Sequence, residues 1–220
     1  MKKKRVLALF CLLFLIFALP IKAEAEGDKS KHIILIDPGH GGIDGGAKSK
    51  NGTIEKDINL SIATKLKNKL EDCGYEVYMT REDDTQLEKK KVSDLNARCK
   101  MKKDTNCEVF ISIHQNMFPQ SNCFGAQIWY SSNEKSKILA ENVQETLKQK
   151  IDDNNKRIPK EAKDQYRILR DGYDGACIIA ECGFLSNPNE EERLKSDDHQ
   201  NKIVDGITLG INNYFETINK

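Results

Sequence analysis

Three apolar runs in this 220-residue chain each deliver a side chain that can bind a metal or move a proton. Ile33-Ile34-Leu35-Ile36-Asp37 leads through Pro38-Gly39 to His40, Val109–Ile113 ends in His114, and Cys177–Ala180 ends in Glu181. Two histidines and a carboxylate are the minimal catalytic zinc set, because such an ion takes three protein ligands and keeps a fourth position for water. His40 and His114 offer the nitrogens. The carboxylates near these elements are Asp37, Asp44, Glu55, Asp57 and Glu181, and spacing alone does not choose among them. Glu55 stands at the start of a helical pattern, close after a glycine loop. The competing reading there is a first-turn acid that complements the helix dipole. The loop Gly39–Gly46 could cradle an anion with its N–H groups. It lacks a following Lys-Ser/Thr pair, which argues against a nucleotide loop.

The elements that must position these groups alternate. Ile33–Asp37 reads as a strand. Lys56 to Cys73 reads as a helix, with Ile58, Ile62, Leu66 and Leu70 four apart and Gly74 as its stop. Tyr75–Thr80 alternates like a strand. Leu87 to Met101 is predicted as a charged helix with Val92, Leu95 and Cys99 on one face. Val109–Ile113, Gly125–Ser131 and Cys177–Ala180 are further strands, and Glu134–Ile151 and Asp198–Tyr214 are amphipathic helices. Asp152–Lys163 is polar and read as loop-rich, and Asn189–Glu192 as a solvated helix start. Apolar strands alternating with helices imply a single α/β domain: a mostly parallel twisted sheet with helices on both faces. In such sheets ligands bind beyond the carboxyl ends of the strands, where His40, His114 and Glu181 fall.

The N-terminus reads as an address. Lys2, Lys3, Lys4 and Arg5 precede an apolar run from Val6 to Leu19, and Ala23-Glu24-Ala25 fits a cleavage site. The run is short for a bilayer span, which needs roughly 20 apolar residues. Residues 1–25 are therefore expected to be an export signal, or a membrane anchor if uncleaved. Residues 26–31 would be a linker and 32–220 the catalytic domain. With 35 basic and 34 acidic residues the charge is balanced, and nothing suggests a nucleic-acid partner. Six cysteines follow the signal: Cys73, Cys99, Cys107, Cys123, Cys177 and Cys182. Export permits disulfides, but a domain of this size does not need them. Cys177 reads as core, and no Cys-x-x-Cys suggests a zinc cage.

The stretch Ile36-Asp37-Pro38-Gly39-His40-Gly41-Gly42, then Glu55, then Ser112-Ile113-His114-Gln115-Asn116, then Glu181-Cys182-Gly183-Phe184-Leu185-Ser186-Asn187 resembles the zinc-dependent N-acetylmuramoyl-L-alanine amidases of the amidase-3 type. The likeness runs in order from about Ile33 to the C-terminus. It implies that His40, Glu55 and His114 ligate Zn²⁺ and that Glu181 is the catalytic carboxylate. It also implies hydrolysis of the amide between the lactyl group of N-acetylmuramic acid and L-alanine, with peptidoglycan, a glycan strand bearing stem peptides, as substrate. Arg81, Arg98 and Asn106 fall at recognisable family positions, as structural or substrate-positioning residues. Gln115-Asn116-Met117 departs from the small residue usual between His and Asn, and Asp152–Asp174 shows little likeness. Within the family the chain most resembles the short spore-cortex amidases, whose action allows muramic-δ-lactam to form. That places it outside the cytoplasmic membrane, in the cell wall or the forespore intermembrane space, with the membrane touched only by the N-terminal segment. A lone catalytic domain also suggests a protein partner that localises or activates it.

General autolysis or cell separation is the alternative role. A zinc carboxypeptidase would want a basic side chain near the metal to hold a terminal carboxylate, and Arg167 and Arg170 are candidates. A catalytically silent wall-binding protein is disfavoured by the whole ligand set with Glu181 present. His32 and His199 read as ordinary. Trp129 and Tyr130 read as packing before sugar binding.

Overall fold

The computed structural model describes residues 31–152 and 154–219. The expected export segment, and all of the linker but Lys31, lie outside those residues. Among the described residues there are six strands: β1 (Ile33–Pro38), β2 (Glu76–Met79), β3 (Val109–Asn116), β4 (Gln127–Tyr130), β5 (Lys160–Glu161) and β6 (Ala176–Phe184). Five helices join them: α1 (Glu55–Asp72), α2 (Lys91–Thr105), α3 (Glu134–Ile151), α4 (Pro188–Leu194) and α5 (Asp197–Ile218). The strands form one sheet in the order β2-β1-β3-β6-β4-β5. The first four are mutually parallel, β4 runs antiparallel to β6, and β5 is parallel to β4. No helix among these residues is long and apolar enough to cross a membrane.

Strand side chains alternate between the two faces, so each face has its own core. Ile36, Ile111 and Ile178 stand in register across β1, β3 and β6 and pack with α1, α3 and α5. Burying each such side chain stabilises the fold by about 1.5–3 kcal/mol. Leu35, Phe110 and Cys177, one residue earlier on each strand, face the other way. They pack with Cys99 of α2 and with Ile168 and Leu169 of a 3-10 turn at Arg167–Leu169. The same register sets His114 beside Glu181, and both strands run past the ends expected for them, to Asn116 and Phe184, so these two side chains project from within β3 and β6 near their carboxyl ends.

Four expectations are corrected. α2 starts at Lys91, four residues after Leu87, because the Asp94 carboxylate accepts the N–H groups of Leu87 and Glu88 ahead of the helix. Val92 is exposed; the buried residues of α2 are Arg98, Cys99 and Lys102. Buried charges therefore set this helix's orientation: Arg98 turns to Asp37, and Lys102 donates to the Ile168 carbonyl and to Asp171. The polar stretch after α3 contains the short strand β5. Glu190 and Glu191, expected in solvent, are buried. Glu190 accepts the N–H groups of Gly125 and Phe184, while Glu191 accepts from Ser49, Asn51 and Thr53. Both carboxylates staple the short helix α4 to loops beside the sheet. All six cysteines among the described residues are free thiols.

Candidate active site

The sequence brings His40 to the site on a strained turn. Its φ is 63°, in the left-handed region, where a side-chain-bearing residue costs roughly 1–2 kcal/mol. Surrounding contacts hold it there. Arg98 donates to the carbonyls of Pro38 and His40. Lys56 donates to the Gly42 carbonyl, and Asp84 accepts the Gly42 N–H. Glu55 is the first residue of α1. Ile54, which precedes it, offers no side-chain cap, and the Glu55 carboxylate does not cap the backbone N–H groups of its own helix. It reaches across to the N–H groups of Ala47 and Gln115. The positive end of the α1 dipole favours an anion there.

These contacts bring His40, Glu55 and His114 together, each offering a ligand atom within 4.8 Å of the others. His40 Nε2 lies 3.2 Å from Glu55 Oε2, and His114 Nδ1 lies 2.9 Å from Glu55 Oε1. Burial by itself would raise the Glu55 pKa. The hydrogen bonds with His114 and His40 outweigh it and hold the carboxyl far below the usual range. In return, and against its own burial, Glu55 raises the pKa of His114. Two imidazoles and one ionised carboxylate converging on one point form a donor set suited to a divalent cation. The backbone leaves little spare room beside it. A Cβ at Gly46 would sit 2.5 Å from Glu55 Oε2, and one at Gly39 would sit 2.2 Å from His114 Cε1. Asp44 Oδ2 lies 3.1 Å from His40 Nδ1, the outer nitrogen, as carboxylates behind metal-binding histidines commonly do. The residues present fit a metal ion.

Glu181 has the opposite surroundings. Its Oε2 is buried and has no hydrogen-bond partner among the described residues. Burial pushes its pKa up to about 7; His114 pulls it down, and the Glu55 charge pushes it up again. Two carboxylates in one site with pKa values driven apart can divide the work between a fixed anion and a proton carrier.

The remaining acids do other things. Asp37 lies beneath the site, accepting from Thr80, Ser112 and Arg98, and these partners hold its pKa low despite burial. Asp57 is exposed. Arg167 is held by Asn96, and Arg170 lines a separate cavity near Ser131–Asn133. A cavity of about 280 Å³ opens onto His40 and His114 between the glycine loop and the start of α2, with Leu95 and Ile168 in its wall. Sequence reasoning missed Asn59. It is fully buried, donates to the Gly39 carbonyl and to Glu55 Oε1, and accepts from Gln115. The available signal was a polar residue one turn after Glu55, next to the apolar stripe of α1. Gln115, noted only as a departure, joins this same network.

Residues 34–213 match the family described as N-acetylmuramoyl-L-alanine amidase, Amidase_3. The chain belongs to this family. The amidase is 37% identical to the germination-specific N-acetylmuramoyl-L-alanine amidase of Bacillus subtilis over 84% of its own length and 81% of the relative's. It is 34% identical to the probable cell wall amidase LytH of Staphylococcus aureus, over 83% of its own length and 58% of that protein. The solved structure of the CwlD amidase from Clostridioides difficile, in complex with the GerS lipoprotein, superposes with a TM-score of 0.80. That likeness comes with 38% identity, covering 85% of this chain and 100% of that one.

Proposed function

We propose that this amidase hydrolyses, with zinc, the amide between the lactyl group of N-acetylmuramic acid and L-alanine in peptidoglycan, and does so in spore-cortex maturation. The observation that carries the reading is the division between the two buried carboxylates. Glu55, drawn between His40 and His114, is a permanent anion suited to holding a cation. Glu181, unpartnered at Oε2 with a pKa near 7, is suited to exchanging a proton at neutral pH. His40, Glu55 and His114 would hold Zn²⁺, which supplies Lewis acidity that polarises the scissile carbonyl and acidifies water. Glu181 takes the proton of the attacking water at Oε2. It returns that proton to the L-alanine nitrogen as the C–N bond breaks. Residues 32–220 serve as the catalytic domain, and residues 1–25 carry it across the membrane to the wall. The cortex role is supported by the likeness to the germination-specific amidase of Bacillus subtilis. A lipoprotein in complex with one relative supports a protein partner that places or activates this chain too.

Mass spectrometry of peptidoglycan digested by the zinc-loaded protein, beside Glu181→Ala, tests the reading. Stem peptides with a free L-alanine amino terminus, released by wild type alone, are expected. Loss of a terminal amino acid instead would make the enzyme a carboxypeptidase. Full activity of the purified enzyme on cortex precursor would remove the need for a partner.

A further inference from the structure

Arg81 follows β2 and is buried, yet none of its hydrogen bonds reaches a carboxylate. Its Nε donates to the Pro38 carbonyl at 2.9 Å and its Nη1 to the Asp83 carbonyl at 2.8 Å. Its Nη2 donates twice, to the Gly39 carbonyl at 3.1 Å and to the Lys56 carbonyl at 3.0 Å. A buried guanidinium satisfied only by main-chain carbonyls is an expensive way to build a core. Its targets suggest another purpose. Gly39 is the residue before His40, and Lys56 is the residue after Glu55. One nitrogen thus ties together the two backbone segments that carry those side chains, segments separated in sequence by the whole glycine loop. The packing is close as well: a Cβ at Gly41 would lie 2.9 Å from Arg81 Cδ.

We propose that Arg81 is a positioning residue for the metal site, fixing the separation of the His40 turn from the first turn of α1. The proposal rests on the reading of His40, Glu55 and His114 as metal ligands. Its physical basis is the planar fork of arginine, whose donors point in fixed directions. A lysine at the same place keeps the charge but has a single ammonium on a flexible stem. Its three donors leave from one atom and cannot replace the four carbonyl contacts that arginine makes from Nε, Nη1 and Nη2. Partners that orient metal ligands commonly affect metal affinity 10–100-fold when removed.

The experiment measures zinc affinity by chelator competition for wild type, Arg81→Lys and Arg81→Gln. It also records the visible spectrum of each protein with Co²⁺ in place of zinc, and the thermal midpoint of each metal-free protein. Zinc binding is expected to weaken about 10–100-fold in both variants, with an altered cobalt spectrum, while metal-free Arg81→Lys melts within a few degrees of wild type. Unchanged zinc affinity and cobalt spectrum in Arg81→Lys would overturn the proposal and leave the metal site standing. A wild type that binds no zinc would overturn the metal reading and this proposal with it. If Arg81→Gln fails to fold, Arg81→Lys decides alone. A folded Arg81→Lys with wild-type affinity would reduce Arg81 to a structural charge.

Discussion

Glu55 and Glu181 stand at the same end of one sheet and have opposite surroundings. Around Glu55, two histidines, two backbone N–H groups and Asn59 converge on one carboxylate. Glu181 sits within β6 between the buried residues Ala180 and Cys182, with one oxygen unpartnered. The residue type is the same, and the number of donors differs. Many donors favour the charged form, and burial without donors favours the neutral one. The comparison shows that the chemistry of a carboxylate here is set by the donors brought to it: His40 and Ala47 from the loop after β1, His114 and Gln115 from β3, and Asn59 from α1.

Replacing Glu55 should have the largest effect. Glu55→Gln is expected to lose stoichiometric zinc, measured by elemental analysis of the purified protein, and to fall to background activity. A variant that keeps one zinc per chain would break the contrast. Next, Glu181→Gln is expected to retain zinc while kcat falls by about 10²–10⁴, the range for a positioned acid–base group. A loss under tenfold would remove Glu181 from the proton path.

The ground beneath the Glu55 side is expected to be energetically costly to disturb. Arg98→Met leaves Asp37 buried without its cation, and breaking a buried pair in this way costs about 3–5 kcal/mol. Chemical denaturation would measure the loss. A cost below about 1 kcal/mol would mean that Thr80 and Ser112 suffice to hold Asp37.

The same contrast recurs between histidines, with a smaller effect. His114 is raised by Glu55, whereas His199 is lowered to about 4 by burial, with Arg193 and Lys202 adding to the shift and Asp198 opposing it. On acidification the unfolded chain protonates at His199 first, near pH 6.5, and the folded chain only near pH 4. This group therefore makes stability fall as pH drops through that window and adds no slope below it. The full contribution is at most about 3.5 kcal/mol, because each tenfold change in proton affinity is worth roughly 1.4 kcal/mol. Denaturation of His199→Gln between pH 4 and 7 should show a shallower slope than wild type. An identical slope would mean that His199 titrates normally.

Much of this was legible from residue order. The apolar periodicity of α1, α3 and α5 is strong because each buries one continuous stripe, and the bounds of α3 match at both ends. α2 was misread because its inward face carries Arg98 and Lys102: Asp94, one turn away, takes part of the Arg98 charge, but Asp37, Asp171 and the carbonyls that complete both sites are distant in sequence. Glu190 and Glu191 were misread for the same reason. Gly125 for Glu190, and Ser49, Asn51 and Thr53 for Glu191, lie far along the chain, and an acidic run looks solvated until those donors are seen.

The sequence by itself determined the alternating elements, the α/β class, the three strands that bring His40, His114 and Glu181 to one edge, and the family the chain belongs to. Local periodicity and motif order are properties of neighbours along the chain, so they can be read there. Residue spacing left the carboxylate partner of the two histidines open, and family likeness pointed to Glu55; only the tertiary structure decided how Glu55 reaches both of them, that Asp37 is spent on Arg98, that Asn59 and Gln115 form one network, and that Arg81 bridges the His40 turn and the first turn of α1. Those outcomes depend on which donors reach a given oxygen, and the donors come from segments that meet only when the sheet and its helices have packed.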